Sequence, residues 1–255
     1  METLAALGGG AFVLASLVVG LRLLLLSRRS GELPEFAMGL ALLVMGGIGY
    51  PAAAIARGAP GLGVLPRVVL AAVAMSCMVL GTGGIAIFNW KVFRAGRAWA
   101  ARFVAALGAS LVGCFAWQAA TPGFLAAAAN HGAGLHALEV LAGVSLAWAS
   151  IESVSYAAKL RKRLALGLAD PLLADRVRLW SIAIVAAQIL NAASLVAVSL
   201  GVDIATWRYG GALIGPIGLG AALTMWLAFL PPERYRRFVL ARARGLNREG
   251  RAPAC

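Results

Sequence analysis

Seven long apolar runs, near residues 4–26, 36–57, 68–90, 99–120, 135–158, 178–201 and 209–230, constrain this chain more than any other feature. A hydrocarbon core of roughly 30 Å takes about 20 apolar residues in a helix, and every run has that size. Turn and charge signals separate them: Ser27–Glu35, Arg57–Gly61, Lys91–Arg97, Thr121–Gly123, Lys159–Arg178 and Gly201–Arg208. No stretch alternates with the period of two that a barrel strand needs. The fold class expected is all-α, a polytopic bundle of about seven transmembrane helices over residues 1–232. A basic tail, 233–255, follows Pro231-Pro232 and is too short for an output domain.

Lys and Arg orient the bundle. One side holds Arg28, Arg29, Lys91, Arg94, Arg97, Lys159, Arg161, Lys162, Arg163, Arg176, Arg178 and the arginines of the tail, whereas the other holds Arg57, Arg67 and Arg208. The excess predicts a cytoplasmic first side, with the N-terminus outside and the C-terminus inside. Trp90, Trp180, Trp207 and Tyr209 stand near helix ends as interfacial anchors. The formal charge of +13 is therefore read as topology, and nucleic acid is not expected as a partner. Expected partners are the bilayer, anionic lipids at the basic surface and a cytoplasmic protein, with no oligomeric state implied. Arg94, Arg161, Lys162, Arg163, Arg236 and Arg237 are the residues that would make the lipid or protein contacts.

The first run is not read as a cleavable signal, because its flank before Leu4 lacks Lys and Arg and no A-x-A-like site follows. Asp170-Pro171 has the form of an N-cap with proline at the first helical position, so the sixth spanning helix is expected to start before the membrane. Arg161–Arg163 extend the fifth in the same way. The Ala-, Gly- and Arg-rich composition fits a high-GC bacterium and hence an inner, cytoplasmic membrane.

Ionisable groups in a bilayer are costly, so Glu152 leads the functional candidates. Flanked by Ser150, Ser153, Ser155 and Tyr156, it suits a proton-accepting site, an amine contact or an ion pair to Arg102 or to the Lys159 cluster. Gln188 and Asn191 share a side of the sixth span, and Asn89, Ser76 and Gln118 are further interior amides and hydroxyls. Such groups serve either as interhelical glue or as a ligand or ion pathway. His136 and Glu139, three apart near the outer end of the fifth span, form a shared face that would titrate, bind a divalent ion or cap the helix beside His131. No further ligands complete a metal site, and no cofactor is implied.

Glycine and proline mark close approaches and bends. Gly46-Gly47-Ile48-Gly49-Tyr50-Pro51 interrupts the second span and Gly81–Gly84 the third. Pro216 interrupts the seventh, whose Gly211 and Gly215 make a small-xxx-small pair. No G-x-S-x-G, H-E-x-x-H or Ser/His/Asp spacing points to catalysis.

The topology resembles that of rhodopsins and G-protein-coupled receptors, but the residues depart from both. The lysines of the chain are Lys91, Lys159 and Lys162, so the last span has none for a retinal Schiff base. The receptor D-R-Y is replaced by Asn89-Trp90-Lys91-Val92-Phe93-Arg94, and N-P-x-x-Y by Gly215-Pro216. Val92-Phe93-Arg94, Leu166–Pro171 and Pro231–Arg237 resemble segments of uncharacterised bacterial seven-helix membrane proteins, a likeness that implies topology and no activity. The leading functional expectation is a ligand-responsive, sensory protein. The alternatives are a small-solute, ion or proton transporter using Glu152, with Gln188 and Asn191, and an accessory subunit of a membrane complex.

Overall fold

A computed structural model describes residues 2–121, 123–130, 132–200, 202 and 210–249. Its described elements are all helices: α1 (Glu2–Ser30), α2 (Leu33–Gly58), α3 (Val64–Phe93), α4 (Ala98–Ala120), the short α5 (Gly123–Ala128), α6 (Ala133–Ala165), α7 (Pro171–Ser199), α8 (Gly210–Phe229) and α9 (Glu233–Glu249). Seven of them, all but α5 and α9, are long and apolar enough to cross a membrane. Leu14, Leu21, Val112, Ile151, Ile189 and Val196 lie exposed on their outer faces. So much exposed apolar surface is stable only against lipid, and this chain is an integral, multi-pass membrane protein.

The helix ends follow from local chemistry. Leu172 N–H donates to Asp170 Oδ1 at 3.0 Å, the N-cap expected before Pro171. α6 continues through Arg161–Arg163 and closes where Gly167 adopts φ +70°. There Leu168 N–H reaches the Arg163 carbonyl and Gly167 N–H the Leu164 carbonyl. That pair of bonds needs a left-handed residue, which glycine supplies at no steric cost. At 33 residues α6 is about 50 Å long, so its arginines extend past the hydrocarbon.

The spanning helices form a ring in which α1 packs on α2 and α8, α2 on α3, α6 on α7 and α7 on α8. α3 meets α6 directly, and α4 covers that seam from outside with Leu107 and Leu111. Glycines set the closest approaches. A Cβ on Gly20 would sit 2.8 Å from the Leu43 backbone nitrogen, and one on Gly39 2.9 Å from that of Leu24, so α1 and α2 touch backbone to backbone. Gly215 and Gly218 of α8 lie on Leu4 and Gly8 of α1 in the same way. The packing of Gly211, its expected companion, lies outside the described residues, as do His131, Trp207, Arg208 and Tyr209.

Within α2, Leu42–Gly49 widens into a π-helix, and Tyr50 N–H bonds the Met45 carbonyl five residues back. Pro51 lacks the N–H that would have bonded the Gly47 carbonyl, which loosens the ladder just before it. The Gly46–Pro51 interruption predicted a bend, and the chain answers it with wider winding. Segments of this kind concentrate at functional sites.

Candidate functional site

The ring encloses a cavity of about 290 Å³ reached by α1, α2, α3, α5, α6, α7 and α8. At the basic end its floor is apolar, made by Met38, Ile85, Leu146, Trp180 and Met225. The Trp180 indole is wedged edge-on between Phe88 (6.1 Å) and Phe229 (5.6 Å), and only 7% of the residue is exposed. Met45, Met75 and Met78 line the middle, where flexible thioethers adapt to irregular shapes. Towards the other end the lining turns polar, with Tyr50 and Arg57 of α2, Asn130 after α5, Glu139 of α6, and Asn191 and Ser194 of α7. Asn130 holds φ +59°, a left-handed conformation that asparagine tolerates better than most side chains.

Asn191 is fixed from two sides. Its Nδ2 donates to the Glu139 carbonyl at 3.5 Å. Its Oδ1 lies over Gly143, where a Cβ would come within 2.6 Å. No donor among the described residues reaches that Oδ1. A polar mouth bearing one carboxylate and one guanidinium above an apolar, aromatic floor is the arrangement that orients a small molecule by its head and buries its body.

Glu152 lies elsewhere. It is 8% exposed and about 20 Å along α6 from Glu139, by the rise of 13 residues. Its Oε1 accepts from Arg94 Nε at 2.6 Å and from Trp148 Nε1 at 3.2 Å. The charge partner is thus Arg94, at the end of α3, and neither Arg102 nor the Lys159 cluster. Arg94 in turn stands over Trp99, 5.9 Å from its ring, and Trp99 and Phe103 pack on Trp148. Tyr156 packs its ring on Phe93 at 5.7 Å.

Of the other sequence candidates, Gln118 ties helices together and Asn89 lies buried beside a seam. Ser145 Oγ donates to the Thr82 carbonyl at 3.4 Å, and seven residues on from each lie Glu152 and the buried Asn89. A polar seam therefore runs between α3 and α6 towards the basic end. Gln118, fully buried, accepts from Leu135 N–H at 3.0 Å and donates to the Gly123 carbonyl at 3.1 Å, tying α4 and α5 to the start of α6. Gln188, half-buried on α7, does not line the cavity, and Pro216 is exposed on the outer side of α8. His136 is half-buried beside Leu135, one turn before Glu139. Among the described residues no three His, Cys, Asp or Glu side chains gather as metal ligands would.

Of the sequence candidates, the cavity brings together Glu139 and Asn191. It adds Arg57 and Tyr50, which the sequence presented as a topology marker and a helix break. The signal that pointed to them was the Tyr50-Pro51 interruption, followed within two turns by an arginine on the charge-poor side. No protein-family model, curated protein or solved structure matches this chain.

Proposed function

We propose that this chain is a ligand-responsive, sensory protein of a bacterial cytoplasmic membrane, with its N-terminus outside and its basic end in the cytoplasm. The observation carrying the reading is the central cavity, polar at the end far from the basic clusters and closed towards them by Trp180. A ligand entering head-last would set its polar group among Arg57, Glu139 and Asn191 and its apolar body on the methionines and Trp180. The π-wound stretch of α2 carries Met45 and Gly46 into the cavity wall, so occupancy bears directly on the π-wound segment of that helix. A ligand preferring one winding of that segment shifts the balance between windings by its differential affinity. The basic ends of α6 and α9, with Arg161, Lys162, Arg163, Arg236 and Arg237, would present the change to a cytoplasmic partner.

Phenethylamine, phenylacetate and phenylethanol share one apolar body and carry three different heads. Each is to be titrated against the purified chain in nanodiscs, with thermal stability and Trp fluorescence as readouts. Stabilisation by one head class, lost in Ala187→Phe, which fills the cavity, and altered in Glu139→Gln, supports the reading. Equal indifference to all three heads in the parent counts against it.

The transporter reading draws on a different observation, the polar seam from Thr82 and Ser145 to Glu152 and Arg94. Ion or solute flux in proteoliposomes that disappears in Glu152→Gln would favour it over the sensory one.

A further inference from the structure

A second recess, of about 310 Å³, lies at the basic end where α1, α7, α8 and α9 meet. Its charge is lopsided. Arg22, Arg176 and Arg236 face one carboxylate, Asp175, and both oxygens of that carboxylate are already engaged. Oδ1 accepts from Arg178 Nη2 at 2.8 Å and Oδ2 from the Tyr235 hydroxyl at 2.7 Å. Arg22 and Arg176 have no ion pair among the described residues, and Arg236 has only a loose, exposed one to Glu233 at 3.6 Å. Arg22 is the most demanding of the three. It is exposed although it stands two turns beyond the buried Ala15, on the side of α1 that packs on α8, eight residues before the end of α1 and so roughly 12 Å along it. A guanidinium at such a place needs an anion or must reach for the interface. Leu172, Leu227 and Phe229 give the recess an apolar edge.

We infer that this recess binds the phosphate headgroup of an anionic phospholipid. Guanidinium forks match phosphate oxygens two at a time, and three of them around one recess give a localised site instead of a diffuse basic surface. The lipid, and not soluble phosphate, is the occupant indicated because the recess opens at the ends of membrane-spanning helices and sets its arginines beside the apolar edge of Leu172, Leu227 and Phe229, where an acyl chain would lie. Nothing in this assignment depends on the central cavity.

The test uses the full chain in phosphatidylcholine nanodiscs doped with phosphatidylglycerol, with retained lipid counted by native mass spectrometry. Arg22→Gln combined with Arg176→Gln is expected to lower the preference for phosphatidylglycerol about tenfold, the equivalent of one good charge-assisted contact. Arg97→Gln combined with Arg102→Gln, equally basic but at the start of α4 outside the recess, is expected to leave it unchanged. Equal loss in both pairs, or loss in neither, overturns the site. Stabilisation of the chain by inorganic phosphate in pure phosphatidylcholine, with displacement of bound phosphatidylglycerol, overturns the lipid assignment. If the glutamine pair does not fold, Arg22→Lys with Arg176→Lys takes its place and is expected to lose preference severalfold, because an ammonium cannot make the forked contact. Full retention there also overturns the proposal.

Discussion

Arg94 Nε meets Glu152 Oε1 at 2.6 Å across the α3–α6 seam, joining the end of one spanning helix to the interior of another. The two sides are unequal. The Glu152 side chain is 10% exposed and the Arg94 side chain 44%, so the carboxylate bears most of the desolvation while the guanidinium keeps part of its hydration. Trp148 Nε1, bonded to the same oxygen, and the ring of Trp99 near the guanidinium hold both groups in place. The pair therefore locks the basic ends of α3 and α6 together, whatever else Glu152 does.

Truncating the arginine and neutralising the acid should then differ. Arg94→Leu leaves a buried carboxylate with only an indole N–H, and a loss of about 2–3 kcal/mol is expected, below the full value for a buried pair because Arg94 is partly hydrated. Glu152→Gln keeps an acceptor for both donors and should lose about 1 kcal/mol. The double variant should fall short of the sum, since the second change removes the group that the first left unpaired. Reversible unfolding in mixed micelles, run as a double-mutant cycle, measures all three. Additive losses would mean that the pair is not coupled.

The glycines give predictions of opposite sign at two kinds of position. Gly20→Ala and Gly39→Ala drive a methyl into the backbone of the facing helix, which cannot rotate away, and each should destabilise by about 1–3 kcal/mol. Gly113→Ala in α4 meets nothing within 4 Å and should stabilise by roughly 0.5–1 kcal/mol through helix propensity alone. Thermal unfolding of the three variants side by side checks both the sign and the size.

The spans were legible because bilayer thickness sets one length and the chain meets it seven times; the observed helices run a few residues beyond most of the runs. Asp170-Pro171 and Arg161–Arg163 also behaved as their chemistry dictates, since a cap and a charged helix end are local matters. The cavity was not legible. Glu139, Asn191, Arg57 and Tyr50 come from three helices, and their convergence depends on helix rotations set by contacts such as Gly143 on Asn191, far apart in sequence. The same holds for Glu152, whose partner 58 residues away is picked out by the level at which α3 and α6 pack. α5 went unseen because the six residues Gly123–Ala128 give too short a periodic pattern to separate from a loop.

Asp170 offers a local check on the α7 start. Its carboxylate accepts the Leu172 N–H at an exposed helix end, so Asp170→Ala should lose about 1 kcal/mol, and Asp170→Asn much less because the amide oxygen still caps. Amide exchange at Leu172 and the residues after it, compared among the three proteins, reports the fraying directly.

Tyr235 gives a pH dependence whose sign can be worked out. Burial at the α7–α9 contact raises its hydroxyl above the usual tyrosine value of 10.0, and the hydrogen bond to Asp175 and the negative charge there add to the rise, against a smaller opposing pull from Arg178. A phenol whose pKa is higher in the folded chain than in the unfolded one stabilises the fold fully below the unfolded value. That contribution fades as pH climbs through the folded value. Tyr235→Phe removes both the hydroxyl bond and the titration. The parent should thus exceed the variant by about 1 kcal/mol at neutral pH, the usual value for a partly exposed hydrogen bond, and the gap should close only above pH 10. Unfolding midpoints of the two proteins between neutral and strongly alkaline pH trace the gap. A difference that shrinks below pH 9, or that never shrinks, would show that the Tyr235 proton is not held by Asp175 as the 2.7 Å contact indicates.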